Sequence, residues 1–184
     1  MMSSYLEPAP SLPSELPVNV AIHNMTARDV PHVVALDVDA IPEVLQAVDR
    51  FPEVFISSLS VRIVPKPTCR FHFTIINVAL ARKQDHCPSH ESVMILPGSE
   101  SYVLNRDSRP APYDGDFALG AVHRHIKPSP FLGSGARVVI SYESAMDDSE
   151  DESAPDQALA TVYLKLVLNY GGRTTLPTFN AQSE

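Results

Sequence analysis

Seventeen prolines stand against seven glycines in this chain, and their placement limits what it can fold into more than any other feature. Proline fixes φ and has no backbone N–H, so it ends helices and is excluded from the middle of a hydrogen-bonded ladder. Prolines fall at positions 65 and 67, at 97, and at 128 and 130, and the stretches between them are rich in β-branched and aliphatic residues. The pattern predicts short extended segments separated by rigid loops. The clearest segment is 158–170, where Val162, Leu164, Leu166 and Leu168 alternate with Thr161, Tyr163, Lys165, Val167 and Asn169, the period of a half-buried strand.

The remaining elements follow from the same reading. Residues 1–30 are rich in Pro and Ser and lack periodicity, which predicts a flexible arm that orders only where something packs on it. Residues 32–38 form the first apolar stretch. In 41–50, Ile41, Val44, Leu45 and Val48 recur at helical spacing, with Pro42 suited to a first turn. From Glu53 a strand runs to the prolines at 65 and 67, with a phase slip at Ser57-Ser58 that suggests a bulge. Phe71, Phe73, Ile75, Asn77, Ala79 and Ala81 alternate with His72, Thr74, Ile76, Val78 and Leu80. Both faces of this strand carry apolar residues, which predicts a central strand covered on both sides. Further strands are expected at 92–96, 101–104, 117–126 and 137–142. Seven or eight strands with one early helix predict an all-β antiparallel sandwich with long connections, comprising an arm (1–30), a sandwich domain (31–172) and a tail (173–184).

A length of 184 residues suits one sizeable core. The formal charge of −8 excludes a generic polyanion binder, because nonspecific nucleic-acid affinity comes from clustered Lys and Arg. Two cysteines are too few for a disulfide scaffold, and the first twenty residues have no Lys or Arg and four prolines, unlike a signal peptide. With no apolar run near the roughly 18 residues of a membrane span, the reading is a soluble, intracellular protein without a membrane partner.

Few residues suggest chemistry. Cys69, His72, His86, Cys87 and His90 raise the question of zinc, but Cys69 and His72 are three apart on a strand and diverge, leaving buried Cys69 and surface-loop histidines as the expectation. His123 and His125 flank Arg124 as two metal ligands of a cupin would, yet the cupin Gly and Glu are absent. No nucleophile elbow, P-loop or dinucleotide fingerprint occurs. The acidic run at 147–152 reads as a solvated loop rather than a cation site. No catalytic, cofactor or metal residue is therefore assigned. The alternatives are a β-sandwich binding module or a cupin-like metal enzyme built on His123 and His125.

A Pro-rich, basic-poor arm leads to the helix near 41–50 and to Val54-Phe-Ile-Ser-Ser-Leu-Ser-Val-Arg-Ile-Val-Pro65. In this order the elements resemble the coat proteins of tymoviruses, small spherical RNA viruses, the last segment being similar to that family's third strand. The resemblance extends through Pro130-Phe-Leu-Gly-Ser-Gly-Ala-Arg-Val-Val-Ile-Ser-Tyr142 and the final strand at 158–170, covering about residues 30–172. The acidic loop at 147–152 and the stretch 106–116 depart from the pattern. The resemblance implies an eight-stranded jelly roll that self-associates in many copies into a quasi-equivalent icosahedral shell around viral RNA, found in the virion and assembled in the host cytoplasm. With no basic arm, RNA would be a weak, nonspecific partner. His123, Arg124, His125 and Lys127 are the RNA-contact candidates, with polyamines or Mg²⁺ as counterions.

Overall fold

The computed structural model describes residues 15–27, 31–51, 53–104, 111–122, 124, 126, 135–146 and 157–171. Their strands are β1 (Glu15–Thr26), β2 (His32–Asp37), β3 (Glu53–Pro65), β4 (His72–Arg82), β5 (Glu100–Leu104), β6 (Tyr113–Asp116), β7 (Ala136–Met146) and β8 (Ala158–Gly171). A first sheet has the order β1-β8-β3-β6 and a second the order β2-β7-β4-β5, antiparallel throughout. The chain changes sheet at every connection except β4 to β5, which is the jelly-roll arrangement of interleaved Greek keys.

Alternation sets which side chains meet between the sheets. Leu164, Leu166 and Leu168 of β8 face Val61, Leu59 and Ile56 of β3 in register, all buried. Ile76 and Val78 of β4 pair with Tyr142 and Ile140 of β7 on the inner face of the second sheet. The phase slip in β3 is a bulge: Ile56 pairs with Leu168 and Ser58 with Val167, so Ser57 is extra. Three residues separate Ile56 from Leu59, and only an inserted residue lets both point inward.

Helix α1 (Pro42–Arg50) starts with Pro42 in its first turn and buries Val44 and Ala47, as expected from its spacing. At 92–96 the expected strand is instead the end of helix α2 (His90–Met94). The Ser89 hydroxyl accepts from the Ser92 N–H at 3.2 Å while the Ser92 hydroxyl accepts from the Ser89 N–H at 3.0 Å. This reciprocal cap satisfies free helix donors; a five-residue helix is too short to show a 3.6-residue period. The following Gly98 has φ +75, the left-handed region glycine enters without strain.

Two further expectations change. Among the described residues, stretch 117–126 forms no strand: it holds a 3-10 turn at Leu119–Ala121, and Phe117, Arg124 and Ile126 bond to β3, through Phe117 N–H to Leu59 C=O, Ile56 N–H to Arg124 C=O and Ile126 N–H to Val54 C=O. The sandwich also takes up residues 15–26, which the sequence pattern assigns to the arm. What packs on that segment is the chain's own β8, from Glu15 opposite Asn169 to Thr26 opposite Ala158.

Candidate functional site

Among the RNA-contact candidates, Arg124 is exposed, held by its backbone against β3. His123, His125 and Lys127 lie outside the described residues, as do Arg28 and Arg173 and the acidic run at 147–152. Among the described residues, most other basic side chains are engaged. Arg62 (3.6 Å) and Lys165 (3.4 Å) share the carboxylate of Asp114 on the outer face of the first sheet. Arg137 Nε donates to Asp37 at 2.6 Å, and Lys83 bridges Asp39 and, at 4.0 Å, Asp37. The Asp37 carboxylate holds the Arg137 guanidinium above its ordinary pKa. These pairs tie the end of β2 to the start of β7 and the turn after β4. They are structural ties rather than a free cationic surface.

The cysteines and histidines raised for zinc are split by β4. Cys69 lies in the turn before that strand and Cys87 in the loop after it, and eleven extended residues span roughly 33 Å. Burial raises both thiol pKa values, so neither sits as a ready thiolate. His90 is not on a surface loop. It is buried in α2, and Asn77 Nδ2 donates to its Nε2 at 2.8 Å. Among the described residues no three His, Cys, Asp or Glu side chains converge as metal ligands.

A cleft of about 640 Å³ lies between the turn after β4 and the end of α2, with Leu80, Arg82, Asp85, His86, Ile95 and Leu96 among its lining. Arg82 and Asp85 saturate one another there: the Asp85 carboxylate accepts from the Arg82 backbone at 2.8 Å and from its guanidinium at 2.9 Å. The Arg82 hydrogen bonds hold Asp85 below the usual carboxylate range.

At one edge, where β1 and β2 meet, the His23 and His32 rings stack with centroids 6.2 Å apart, and His23 Nε2 lies 3.2 Å from the Tyr142 hydroxyl. At the opposite edge Tyr102 of β5 packs on Tyr113 of β6, whose hydroxyl donates to Glu100. Burial drives the Tyr102 phenol well above its ordinary pKa. Aromatic side chains thus close both open flanks of the sandwich.

The outer face of the second sheet departs from the expectation that β4 is covered on both sides. α2 and the loops on either side of it cover one half, packing Val93, Cys87 and Leu96 on Ala79, Ala81 and Val139. Beyond Asn77 the cover stops. Phe73, Ile75 and Val103 are 49%, 36% and 48% exposed, and Ile75 pairs directly with Val103 across β4 and β5. Sequence reasoning missed this surface because alternation shows which residues share a face, not what lies over it.

No family model matches the sequence, and no curated protein matches it. Solved structures do match, in virus particles. A chain of turnip yellow mosaic virus is similar at 15% identity over 85% of this chain and 90% of that one, with a TM-score of 0.68. Desmodium yellow mottle tymovirus matches at 10% identity over 96% and 93%, also at 0.68. Tobacco necrosis virus matches at 14% over 85% and 94%, at 0.61. The chain therefore has the eight-stranded jelly-roll fold, the one its strand order describes and these virus chains share. The tymovirus resemblance read from its segments extends to its three-dimensional structure.

Proposed function

We propose that this chain is a viral coat protein, a structural subunit that self-assembles in many copies into an icosahedral shell around an RNA genome. The observation that carries the reading is the end-to-end likeness to tymovirus chains, across both sheets rather than one motif. A fold alone hosts many functions. Here, however, the sandwich interior is filled with aliphatic side chains, as a core is, rather than opened as a ligand cavity. The role is structural, and the protein's place is the virion, assembled in the host cytoplasm.

An acidic subunit of charge −8 holds such a shell mainly through protein contacts. RNA is a secondary partner, met by Arg124 with His123, His125 and Lys127 and neutralised largely by polyamines or Mg²⁺. The test is to express the full chain and examine it by sedimentation and negative-stain microscopy. Uniform shells are expected. A monodisperse monomer at high concentration across about pH 5 to 8 overturns the reading and favours a monomeric β-sandwich binding module. For the counterions, RNA-filled particles that lose polyamines and Mg²⁺ without losing stability count against that part.

A further inference from the structure

We infer that His23 and His32 form an acid-sensitive latch, which holds β1 on the flank of the sandwich while at most one ring is charged and loosens it when both are. The inference stands apart from the coat-protein reading, since it concerns the fold of a single chain. β1 and β2 are consecutive in the chain but lie in different sheets, each at an edge and each paired on one side only. The bulge between Ala21 and His23 puts His23 opposite the buried, inward-facing Val162. There it meets His32, which lies directly opposite Tyr142 of β7. The two imidazoles stack at 6.2 Å, and both also contact the Tyr142 ring, His23 at 5.8 Å and His32 at 5.5 Å between centroids. Three rings from three strands thus join the two sheets at this flank.

Protonation decides when this joint holds. Imidazole is the side chain that ordinarily changes charge between about pH 5 and 8, and both rings are half-buried, within reach of solvent protons. One proton is tolerated, because a charged His23 still donates through Nε2 to the Tyr142 hydroxyl, 3.2 Å away. A second proton sets two cations a ring's breadth apart in a site partly withdrawn from water, where their repulsion is less screened than on an open surface. The ladder positions around the pair are Val162 on β8, Tyr142 on β7 and Ile76 on β4, none of them a carboxylate. The connection between β1 and β2 carries Arg28 and Asp29, of opposite sign. Once β1 comes away the rings separate, so the opened flank takes up the second proton more readily than the closed one, and the hold on β1 weakens as pH falls. What loosens is the end of β1 from His23 to Thr26, which carries the wholly buried Met25 and the hydrogen bond that Thr161 donates to Asn24.

The test is hydrogen exchange of the full chain, read by mass spectrometry in peptides covering β1 and corrected for the intrinsic exchange rate at each pH. Between about pH 7.5 and pH 5, protection of the β1 amides should fall by about tenfold or more relative to amides of the central β3–β8 ladder. His32→Phe keeps a ring against Tyr142 but cannot be charged, and should protect β1 equally at both pH values. His32→Gln, smaller and polar, makes the same comparison without demanding that a phenyl ring fit. Arg and Asp side chains ordinarily keep their charge between about pH 5 and 7.5, so Arg28 and Asp29 do not produce the effect. Wild-type β1 protection that stays level with the β3–β8 ladder overturns the latch, and so does a fall of wild-type size in either variant.

Discussion

Asn77 on β4 and His90 on α2 share a hydrogen bond of 2.8 Å in a site closed to solvent, the amide donating to Nε2. The Ser101 hydroxyl of β5 donates to the other end of the same amide. One side chain thus joins a helix and two strands at the edge of the covered half-face. Asn77→Ala leaves His90 Nε2 and the Ser101 hydroxyl without their partner, and an unsatisfied buried polar group costs about 1–3 kcal/mol. The expected result in urea denaturation is a loss of that size, with the amides of α2 exchanging faster than those of β8.

The Asp37 carboxylate accepts from Arg137 and lies within reach of Lys83, with side chains 19–29% exposed. Intermediate burial puts the network between weak surface pairs and costly buried ones. Asp37→Ala is expected to destabilise by about 1–2 kcal/mol, since Arg137 loses its only close carboxylate partner among the described residues while Lys83 keeps Asp39. By contrast, Leu164→Ala opens a cavity at a wholly buried position between Val20 and Val61 and is expected to cost about 2–5 kcal/mol. Val103→Ala, on the open face, should leave the isolated subunit within about 0.5 kcal/mol of wild type. Chemical denaturation of the four proteins side by side checks the ranking.

Alternation made the strands legible wherever the interior is aliphatic. Leu164, Leu166 and Leu168 announce β8, and the three-residue gap between Ile56 and Leu59 announces the bulge before any pairing is known. Three elements escaped for physical reasons, β1 through its proline and its lack of an aliphatic run. β6 is Tyr-Asp-Gly-Asp, an edge strand of four residues with only alternate side chains facing inward, so it carries no apolar run. α2 is fixed by its Ser89 cap and by Asn77, a partner thirteen residues away in the chain. Of the candidate site, Arg124 was legible as a cation. The open apolar face was not, because α2 covers Ala79 and Ala81 but stops short of Ile75, which only the three-dimensional arrangement reveals.

Asp85 gives a pH dependence of definite sign. Its carboxyl titrates lower in the folded protein than in the unfolded chain, chiefly through the Arg82 side-chain hydrogen bond. A depressed carboxylate contributes stability that is present above the unfolded pKa and disappears as pH falls through the folded one. Arg82→Ala should therefore melt slightly below wild type at neutral pH, and the gap should close as pH falls through the lowered carboxyl titration of Asp85. Because the pair is partly exposed, about 1 M salt should narrow the neutral-pH gap as well. Melting curves of the two proteins from pH 7 downward test both statements.

The boundary between arm and sandwich offers the sharpest deletion test. β1 contributes no long aliphatic run, and Pro17 sits within it, so its sequence reads as an arm. Its edge position tolerates that proline, since a strand paired on one side only needs half its N–H groups. Yet β1 buries Val18 and Met25 and covers the flank of β8 from Asn169 to Ala158. Removing residues 1–14 leaves every described pair of β1 with β8 in place, and the shortened chain should keep the cooperative unfolding of the full one. Removing residues 1–26 strips one of the two ladder partners from fourteen-residue β8, leaving β3, uncovers its edge beside Leu164 and Leu166, and separates Tyr142 from His23. A loss comparable to the whole stability of a small domain, about 5–15 kcal/mol, is expected, with aggregation through the exposed edge. Equal unfolding midpoints for the two deletions would show that β1 is a detachable arm after all.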